Sequence, residues 1–474
     1  MPEGKPTKKE VSKRKATARQ NRKAKAQERK ASSKKEEKEN PITLEILDDG
    51  EYVFHGRSLN PTRDKNRALA PLNKQIWSRG QQLSLLPTEE QKTLIHKTNG
   101  CARVVKNDYR DKRIEQFETE RTTLSVATYK KEFLPKLKEE NPWLREVDKF
   151  ALEAAVEHID AAYKHFFEGN ADFPKKASKY KPSGNRYTTK YTNGNIALVL
   201  GDDNIPYLKI PKLGLVRFVI PAGKVFENVV PPGTRITSLT VIKDGSNYLA
   251  SLSLESVVNI PEKIQTFSRL QIIAMDMGLR KFCDYGHGDG EYHHVENPRW
   301  INKHEKRLRR FQKSLARKQY DQKTHKGSRN WEKAKAKIAK EQRKIKNQRK
   351  DFHHKLSREI ADSCDVFVCE TLNVKSMVQN RHLAKQISSV GWSQFLSFVK
   401  YKIEAKGGIF LKVDRWFPSS KLCSCGYKNT ELKNQLVWKC PHCHNVNERD
   451  DNAVDNLARE GIRILTEQGI KFVA

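Results

Sequence analysis

The chain has 474 residues, of which 91 are Lys or Arg and 57 are Asp or Glu, so its formal net charge is +34. Its mean hydropathy is −0.79, no apolar run approaches the roughly 18 residues of a membrane span, and the N-terminus has no apolar signal region. These features exclude membrane and secreted proteins and indicate a nucleic-acid partner. A basic RNA binder without catalytic activity is the alternative.

The N-terminal segment is strongly basic. Residues 1–40 contain 15 Lys or Arg, 6 Asp or Glu and no aromatic residue, a composition that cannot bury enough apolar surface to fold. The sequence therefore predicts a disordered basic tail over 1–40, followed by an N-terminal extension over 41–82. The tail either contacts phosphates loosely or is a solubilising extension.

Helical patterns dominate the region from about 88 to 167. Leu83–Pro87 predicts a short strand, Thr88–Gln91 has the spacing of a capping box that opens a helix, and apolar residues recur at helical spacing through about 148–167. The following segment, 173–191, has six Lys or Arg, no acid, and Phe173, Tyr180, Tyr187 and Tyr191 between them. Such a pattern suits stacking and clamping of a nucleic-acid strand, although a basic surface loop is the alternative. The candidate contacts are Lys175, Lys176, Lys179, Tyr180, Lys181 and Arg186.

Two further regions have distinct periodicities. Short β-patterns at Ile196–Leu200, Val216–Ile220, Ile236–Ile242 and Tyr248–Leu254 predict a small barrel or sandwich. Residues 303–350 carry 20 Lys or Arg and 4 Asp or Glu, in two predicted helices separated by a loop at 326–328. Because intrahelical pairing cannot neutralise this excess, the pattern favours contact with a phosphate backbone. The candidates here are Arg309, Arg310, Lys333 and Lys337.

Three carboxylates stand at the ends of predicted elements. Asp276 follows the apolar run Ile272–Met275, Glu370 follows Val366–Cys369, and Asp450 opens a helical run through Leu465. If the fold brings them together, they would bind two Mg²⁺ ions, which prefer oxygen ligands and catalyse phosphodiester hydrolysis. Spacing alone leaves three unrelated turn or cap acids as an equal alternative, and the neighbouring Asp451 leaves the third acid open.

Four of the eight cysteines crowd into 21 residues. Cys423, Cys425, Cys440 and Cys443 predict a closed tetrahedral structural Zn²⁺ site, although the first pair has the spacing Cys-x-Cys. His442 and His444 are alternative ligands. The remaining cysteines, Cys101, Cys283, Cys364 and Cys369, are predicted to be packing residues.

The order of these motifs resembles TnpB proteins, the RNA-guided nucleases of IS200/IS605-type transposons, and the related compact type V CRISPR effectors. The similarity is carried by Ala274–Leu279, Glu370–Val374, the cysteine ribbon and Arg449–Ala453, and it extends to Pro87–Gln91, Asn347–Phe352 and Pro418–Lys421. It covers about 83–474. Residues 1–82 exceed a minimal TnpB, so whether the chain is transposon-encoded or CRISPR-associated is left open.

The resemblance implies an α+β multidomain fold: a helical recognition lobe, a β-barrel wedge domain, and an RNase H-like (RuvC) nuclease domain with an inserted zinc ribbon. The implied boundaries are 83–190 for the first wedge strand and recognition domain, 191–265 for the wedge, 266–415 for RuvC, 416–449 for the ribbon, and 450–474 for the third RuvC motif and C-terminal helix. The ribbon would hold Zn²⁺.

The implied function is that of an RNA-guided, metal-dependent DNA endonuclease. Asp276, Glu370 and Asp450 would be the catalytic acids and bind two Mg²⁺ ions, and Arg449 would contact the scissile phosphate or pair with an acid. Guide RNA and double-stranded target DNA are the expected partners, without a membrane or small-molecule substrate; base pairing would supply specificity. The active unit is one protein or a homodimer, and the implied location is the prokaryotic cytoplasm, with nucleoid association when DNA is bound.

Two other functions are compatible with a strongly basic chain. A guided binder that silences DNA without cutting it is disfavoured because all three acids are present. A DNA-joining transposase would use a nucleophilic Tyr with a His-x-His pair, and neither His293–His294 nor His353–His354 has that arrangement.

Overall fold

The computed structural model describes residues 42–47, 52–56, 61–322, 326–433 and 435–473, so the basic tail predicted over 1–40 lies outside the described residues. The chain divides into two compact units, Met1–Asn259 and Ile260–Ala474. Among the described helices, none combines the length and apolar character needed to cross a membrane.

The first unit contains strands and helices in alternating blocks. Its strands are β1 (Thr43–Ile46), β2 (Tyr52–His55), β3 (Lys74–Leu85), β4 (Arg186–Lys190), β5 (Ala197–Leu200), β6 (Pro206–Ile210), β7 (Gly214–Val219), β8 (Thr234–Asp244) and β9 (Asn247–Asn259). Its helices are α1 (Pro61–Leu69), α2 (Glu89–Glu120), α3 (Val126–Thr128), α4 (Leu134–Glu140) and α5 (Lys149–Phe167), with a π-helical turn at Tyr129–Phe133.

An antiparallel sheet with the order β4-β8-β9-β3-β7-β6-β5 organises the described part of this unit. The four predicted β-segments of 195–257 are confirmed as β5, β7, β8 and β9. The short strand predicted at Leu83 is longer than the sequence suggested, because β3 pairs with β9 along its whole length, from Lys74 opposite Asn259 to Leu85 opposite Tyr248. Because β9 lies far from β3 in the sequence, no local pattern predicts the first half of β3.

Helices α2 and α5 pack together and share one apolar core with the sheet. The predicted start of α2 is confirmed, because the Thr88 hydroxyl accepts a hydrogen bond from the Gln91 amide while the Gln91 side chain bonds the Thr88 amide. The predicted helix over 148–167 is confirmed as α5, whose buried face includes Leu152 and Val156.

The second unit begins with strands and ends with a long helix. Its strands are β10 (Thr266–Ser268), β11 (Ile272–Met277), β12 (Lys281–Gly286), β13 (Tyr292–Glu296), β14 (Tyr320–Asp321), β15 (Lys326–Gly327), β16 (Val366–Glu370), β17 (Ile409–Val413), β18 (Val437–Lys439), β19 (Val446–Glu448) and β20 (Lys471–Val473). Its helices are α6 (Trp300–Ala316), α7 (Arg329–Ser363), α8 (Val374–Met377), α9 (Ala384–Val390), α10 (Trp392–Glu404) and α11 (Arg449–Glu467).

A mixed sheet with the order β13-β12-β11-β16-β17 forms its centre among the described residues. Strands β11, β16 and β17 are parallel, whereas β12 and β13 run antiparallel to their neighbours. Because side chains alternate along a strand, Ile273 and Phe367 pack towards α7 and α10, while Ala274 and Val368 pack towards α11. The protein is therefore a mixed α+β protein with helices on both faces of this sheet.

Two contacts fix the elements around this sheet. A Cβ atom added to Gly461 of α11 would lie 2.6 Å from Val368 Cγ2, so glycine permits the close approach of the helix to β16. The two predicted basic helices are confirmed as α6 and α7, joined by the hydrogen bond between His304 Nδ1 and Glu341 Oε1, at 2.6 Å.

Candidate active site

Strands β11 and β16 deliver two carboxylates to the same edge of the sheet. Met275 is the register partner of Cys369 in this parallel pair, so the next residues, Asp276 and Glu370, lie side by side. Both follow the alternation that turns Ala274 and Val368 towards α11. The two acids predicted from separate apolar runs are therefore neighbours, at the carboxyl ends of adjacent parallel strands.

Helix α11 brings the third acid to this edge. It begins at Arg449, and its apolar face packs against β11, β12 and β16 through Val454, Leu457 and Ala458. Asn456 Nδ2 donates to the Ser419 and Leu422 carbonyls at 2.6 and 2.7 Å, which ties the helix to the preceding chain. Its first turn, which contains Asp450 and Asp451, is thereby held beside the strand ends.

The charges of Glu370 and Asp450 act on Asp276. Burial raises the pKa of Asp276 to about 7, with further contributions from the negative charges of Glu370, Asp450 and Asp284. Burial likewise raises the pKa of Glu370, and the neighbouring Arg449 opposes that rise. Burial beside these negative charges disfavours ionisation of Asp276. Carboxylate oxygens are the ligands that a divalent cation such as Mg²⁺ prefers.

Asp451 belongs to a different group of side chains. Asp284, the register partner of Asp276, accepts hydrogen bonds from Lys281 Nζ at 2.8 Å and from His294 Nδ1 at 2.5 Å. Asp451 Oδ1 lies 3.9 Å from His294 Nδ1 and has no hydrogen-bond partner among the described residues. Its pKa is raised to about 6 by burial and by the negative charge of Glu448.

Asp284, His294 and Lys281 were not among the residues predicted for this site. A signal was available in part, because Asp284 is a charged residue within the otherwise apolar run Phe282–Tyr285. His294 gave no such signal, since it reaches Asp284 only through the antiparallel pairing of β12 with β13.

The cysteine prediction is matched by a cluster of four sulfur atoms. Cys423 Sγ lies 3.5 Å from Cys443 Sγ, and Cys425 Sγ lies 3.7 Å from Cys440 Sγ. Four thiolates bound at about 2.3 Å to one Zn²⁺ lie about 3.8 Å apart, so the donor set fits that ion despite the Cys-x-Cys spacing. The histidine alternatives fall outside this group; the ring of His442 stacks on Tyr427 instead.

The remaining cysteines behave as predicted. All four are buried packing residues: Cys101, Cys283, Cys364 and Cys369.

The basic candidates of the first unit differ in their exposure and partners. Lys176 Nζ pairs with Asp111 at 2.7 Å, and Lys179 Nζ lies 5.2 Å from the ring centroid of Tyr180, which is half-exposed. Arg186 belongs to β4. The other candidates of this segment are Lys175 and Lys181.

One aromatic residue of that segment was misjudged. Tyr187, interpreted as part of a stacking surface, is only 3% exposed. The segment ends in the strand β4, whose pairing with β8 turns Tyr187 into the core. The basic-loop alternative for 173–191 therefore fails at Arg186–Lys190, whose strand partner β8 lies about fifty residues further along the chain.

The basic candidates of the second unit lie on two helices and at the start of a third. On α6, Arg309 pairs with Glu305 at 2.9 Å and the Arg310 guanidinium lies over Phe311. On α7, Lys333 and Lys337 are exposed. Arg449 stands beside Glu370 and lowers the pKa of that carboxyl against the effect of burial.

Comparison with known protein families gives three matching segments. Residues 256–381 match the OrfB family of IS605-type elements, described as "Probable transposase"; residues 392–457 match the Cas12f1-like TNB domain; and residues 78–122 match the helix-turn-helix domain of the OrfB family. The first two segments contain Asp276, Glu370, Asp450 and the cysteine cluster. In the structure, the third segment is the end of β3 followed by the single helix α2.

The chain is also similar to individual proteins. The chain is 29% identical over 380 residues to a Streptomyces pristinaespiralis protein named "Putative RNA-guided DNA endonuclease", covering 79% of this chain and 87% of that protein. It is 25% identical over 342 residues to the similarly named InsQ of Escherichia coli K12, covering 69% and 78%. A solved Cas12f1–sgRNA–target DNA complex is similar with a TM-score of 0.44 and 13% identity, covering 81% and 99%. The resemblance to TnpB proteins is confirmed.

Proposed function

We propose that this chain is an RNA-guided DNA endonuclease. The observation that supports the proposal is the buried carboxyl of Asp276, which lies beside Glu370 at the next strand end and feels the charge of Asp450 at the start of α11. The named relatives support the same activity. The excess of cations fits a protein whose substrate and guide are both polyanions.

The roles within the site follow from the electrostatics. Asp276, Glu370 and Asp450 would hold two Mg²⁺ ions, which when bound would activate water and stabilise the leaving 3′ oxygen of a phosphodiester. Asp450 is favoured over Asp451 as the third acid, because its charge acts on Asp276 whereas Asp451 faces His294. Arg449, whose charge acts on Glu370, would contact the scissile phosphate or remain paired with that acid.

The domain assignment is part of the same proposal. Residues 266–415 and 450–474 would form the RuvC nuclease domain around the five-stranded sheet, with a zinc ribbon over 416–449. The recognition helices of 83–190 and the wedge strands of 191–265 would hold guide RNA and the guide–target duplex. Zn²⁺ would be structural, since four thiolates leave no open coordination position.

The test compares Asp276→Ala with Asp451→Asn in the full chain. The protein is expressed with its native flanking DNA and purified in high salt, and the RNA that stays bound is sequenced. We expect a discrete RNA with a constant scaffold and one variable end. The wild type loaded with that RNA should cut matching DNA in the presence of Mg²⁺.

The two variants separate chemistry from binding. Asp276→Ala should lower cleavage by about a thousandfold or more while RNA and DNA binding are retained, because the metal ligand acts in the transition state. Asp451→Asn should keep most of the activity. Cleavage by Asp276→Ala at the wild-type rate would remove Asp276 from the mechanism, and only heterogeneous degraded RNA would contradict the guided function.

A further inference from the structure

Three side chains that are able to bind a metal ion meet beside the proposed catalytic acids. Asp284 of β12 and His294 of β13 are register partners, and Asp284 is in turn the register partner of Asp276. Directly opposed residues of antiparallel strands project to the same face of a sheet, so all three lie on the face that α11 covers. Asp451 reaches this face from the first turn of α11. Two carboxylates and one imidazole from three separate segments therefore converge.

The spacing of their donor atoms suits a single ion. One donor atom each of Asp284, His294 and Asp451 lies within 4.8 Å of the other two. Asp451 Oδ1 is 3.9 Å from His294 Nδ1, and Asp284 Oδ1 is 2.5 Å from it. Oxygen and nitrogen ligands bind Zn²⁺ at about 2.0–2.2 Å, so two ligands of one ion lie about 3–4 Å apart. The exposed ring of His294 needs only a small rotation to widen the shorter spacing.

The carboxylate of Asp451 gives an independent indication of a ligand. Asp451 is 9% exposed, and its Oδ1 atom is buried without a hydrogen-bond partner among the described residues. A buried polar atom without a partner costs free energy. A network of hydrogen bonds between Asp284 and His294 leaves this oxygen without a partner, whereas an ion between the three side chains would satisfy it.

A cation already lies at this group of side chains. Lys281 Nζ donates to Asp284 Oδ1 at 2.8 Å and lies 3.2 Å from His294 Nδ1. Two of the three donors therefore face one positive charge. The Lys281 side chain is 27% exposed, and its flexible stem allows the ammonium to move into water. The ammonium is thus the competitor that a metal ion would displace.

The types of donor select the class of ion. Mg²⁺ and Ca²⁺ prefer oxygen ligands, whereas imidazole is a good ligand for divalent ions of the first transition series. Asp276, Glu370 and Asp450 offer only carboxylate oxygens, and the cysteine cluster offers only sulfur. The combination of two carboxylates and one imidazole differs from both.

We propose that Asp284, His294 and Asp451 bind a divalent transition-metal ion of the Mn²⁺ or Zn²⁺ class, separately from the catalytic acids. Coordination by His294 Nδ1 places the imidazole proton on Nε2, which is the other neutral tautomer. The ion would join β12 and β13 to the first turn of α11 and so hold the turn that carries Asp450.

The experiment measures Mn²⁺ binding to the full chain after loosely bound metal has been removed with EDTA. Mn²⁺ binds thiolates poorly, and a large excess of Mg²⁺ competes for the sites that offer only oxygen. Pulsed EPR then records the coupling of the remaining bound Mn²⁺ to nitrogen. We expect a coupling that changes when the histidines are labelled with nitrogen-15.

Two histidine variants assign this signal. His294→Ala should abolish the nitrogen coupling and lower the Mn²⁺ affinity about tenfold or more, since even the loss of a residue that supports a ligand has an effect of that size. His293→Ala is the matched control, because that ring stacks on Tyr285, and it should bind Mn²⁺ as the wild type does. Asp451→Asn should weaken binding and keep the coupling.

Lys281→Gln should have the opposite effect. Removal of the competing ammonium should raise the Mn²⁺ affinity about threefold or more, and an unchanged or weaker affinity would overturn the proposal. Displacement of all Mn²⁺ by Mg²⁺, the absence of nitrogen coupling in the wild type, or its persistence in His294→Ala would also overturn it. These readouts do not require cleavage, so a failure of the proposed nuclease activity would leave them unaffected.

Discussion

The carboxylate group and the cysteine cluster are the two proposed metal sites, and the chain assembles them in opposite ways. Asp276, Glu370 and Asp450 come from segments up to 174 residues apart, and their mutual repulsion raises the pKa of Asp276 beyond the effect of burial. The four cysteines come from 21 residues of chain around a small core containing Leu432 and Trp438.

The carboxylate group depends on a sheet that folds without it, whereas the cysteine cluster would stabilise its own segment by binding metal. The carboxylates sit on a sheet that is stabilised by its own apolar cores, so the sheet carries the cost of holding them together. The segment around the cysteines has few buried apolar residues, so metal binding there would supply much of its folding free energy. Removing a cysteine should therefore destabilise the segment around it, whereas removing a carboxylate should stabilise the metal-free protein.

The largest effect is expected at the cysteines. Cys440→Ser should abolish zinc binding, worth about 10 kcal/mol or more in structural sites, and expose residues 422–448 to proteolysis while the five-stranded sheet stays folded. Zinc content by mass spectrometry and limited proteolysis measure the change. His442→Ala is the control and should retain zinc, because that ring stacks on Tyr427. Retained zinc in Cys440→Ser would refute the four-thiolate site.

The second effect tests which acids form the catalytic group. Asp450→Asn should lower the cleavage rate about a thousandfold, or about 4 kcal/mol of transition-state stabilisation, and Asp451→Asn by less than tenfold. Single-turnover cleavage of matching DNA measures both variants. If Asp451→Asn lowers the cleavage rate more than Asp450→Asn does, Asp451 is the third acid. The effect of the Asp450 charge on the pKa of Asp276 would then not mark a catalytic residue.

The third effect concerns the stability cost of the acids. Asp276→Asn should stabilise the metal-free protein by about 2–4 kcal/mol at pH 8, because the folded state raises the pKa of this carboxyl to about 7 from the unfolded value near 4. The folded state favours the protonated acid, so the cost is absent below about pH 4, grows up to about pH 7 and stays constant above it.

Denaturant unfolding at pH 4, 6 and 8 measures this dependence. Asp362→Asn is the control, because Asp362 is exposed and paired with Arg358 on α7, and it should change stability little at any of these pH values. A destabilised Asp276→Asn at pH 8 would show that the carboxylate is a net stabilising group, contrary to the contrast with the cysteines.

The smallest effect is expected at the side chains beside the proposed catalytic acids. His294→Ala removes the imidazole that bonds Asp284, the register partner of Asp276, and should lower cleavage up to about tenfold, or 1.4 kcal/mol. His293→Ala is the matched control, because its ring stacks on Tyr285 instead, and it should keep the wild-type rate. If His294→Ala and His293→Ala cut DNA at equal rates, His294 has no part in cleavage and the site consists of the three acids alone.

Local patterns predicted much of the molecule. The capping residues of α2, the periodicity of α5 and α7, and the apolar runs of β11 and β16 depend on residues close together in the chain, and each is present where the sequence indicated. The strand β4 and the first half of β3 could not be predicted in this way, because pairing with β8 and β9 creates them.

The sequence by itself indicated a polyanion partner, a cysteine cluster and three candidate acids. Net charge, the spacing of metal ligands and the residues at the ends of helices and strands are local properties. Only the tertiary structure decided that Asp276 and Glu370 are neighbours. It also decided that Asp450 and Asp451 face different groups. The pairing of Asp284 with Asp276 and its hydrogen bond from His294 likewise depend on the sheet. Those facts depend on strand register and on the close packing of α11 at Gly461. Contacts between distant segments are set by the burial of apolar faces throughout the fold, which no short window of sequence contains.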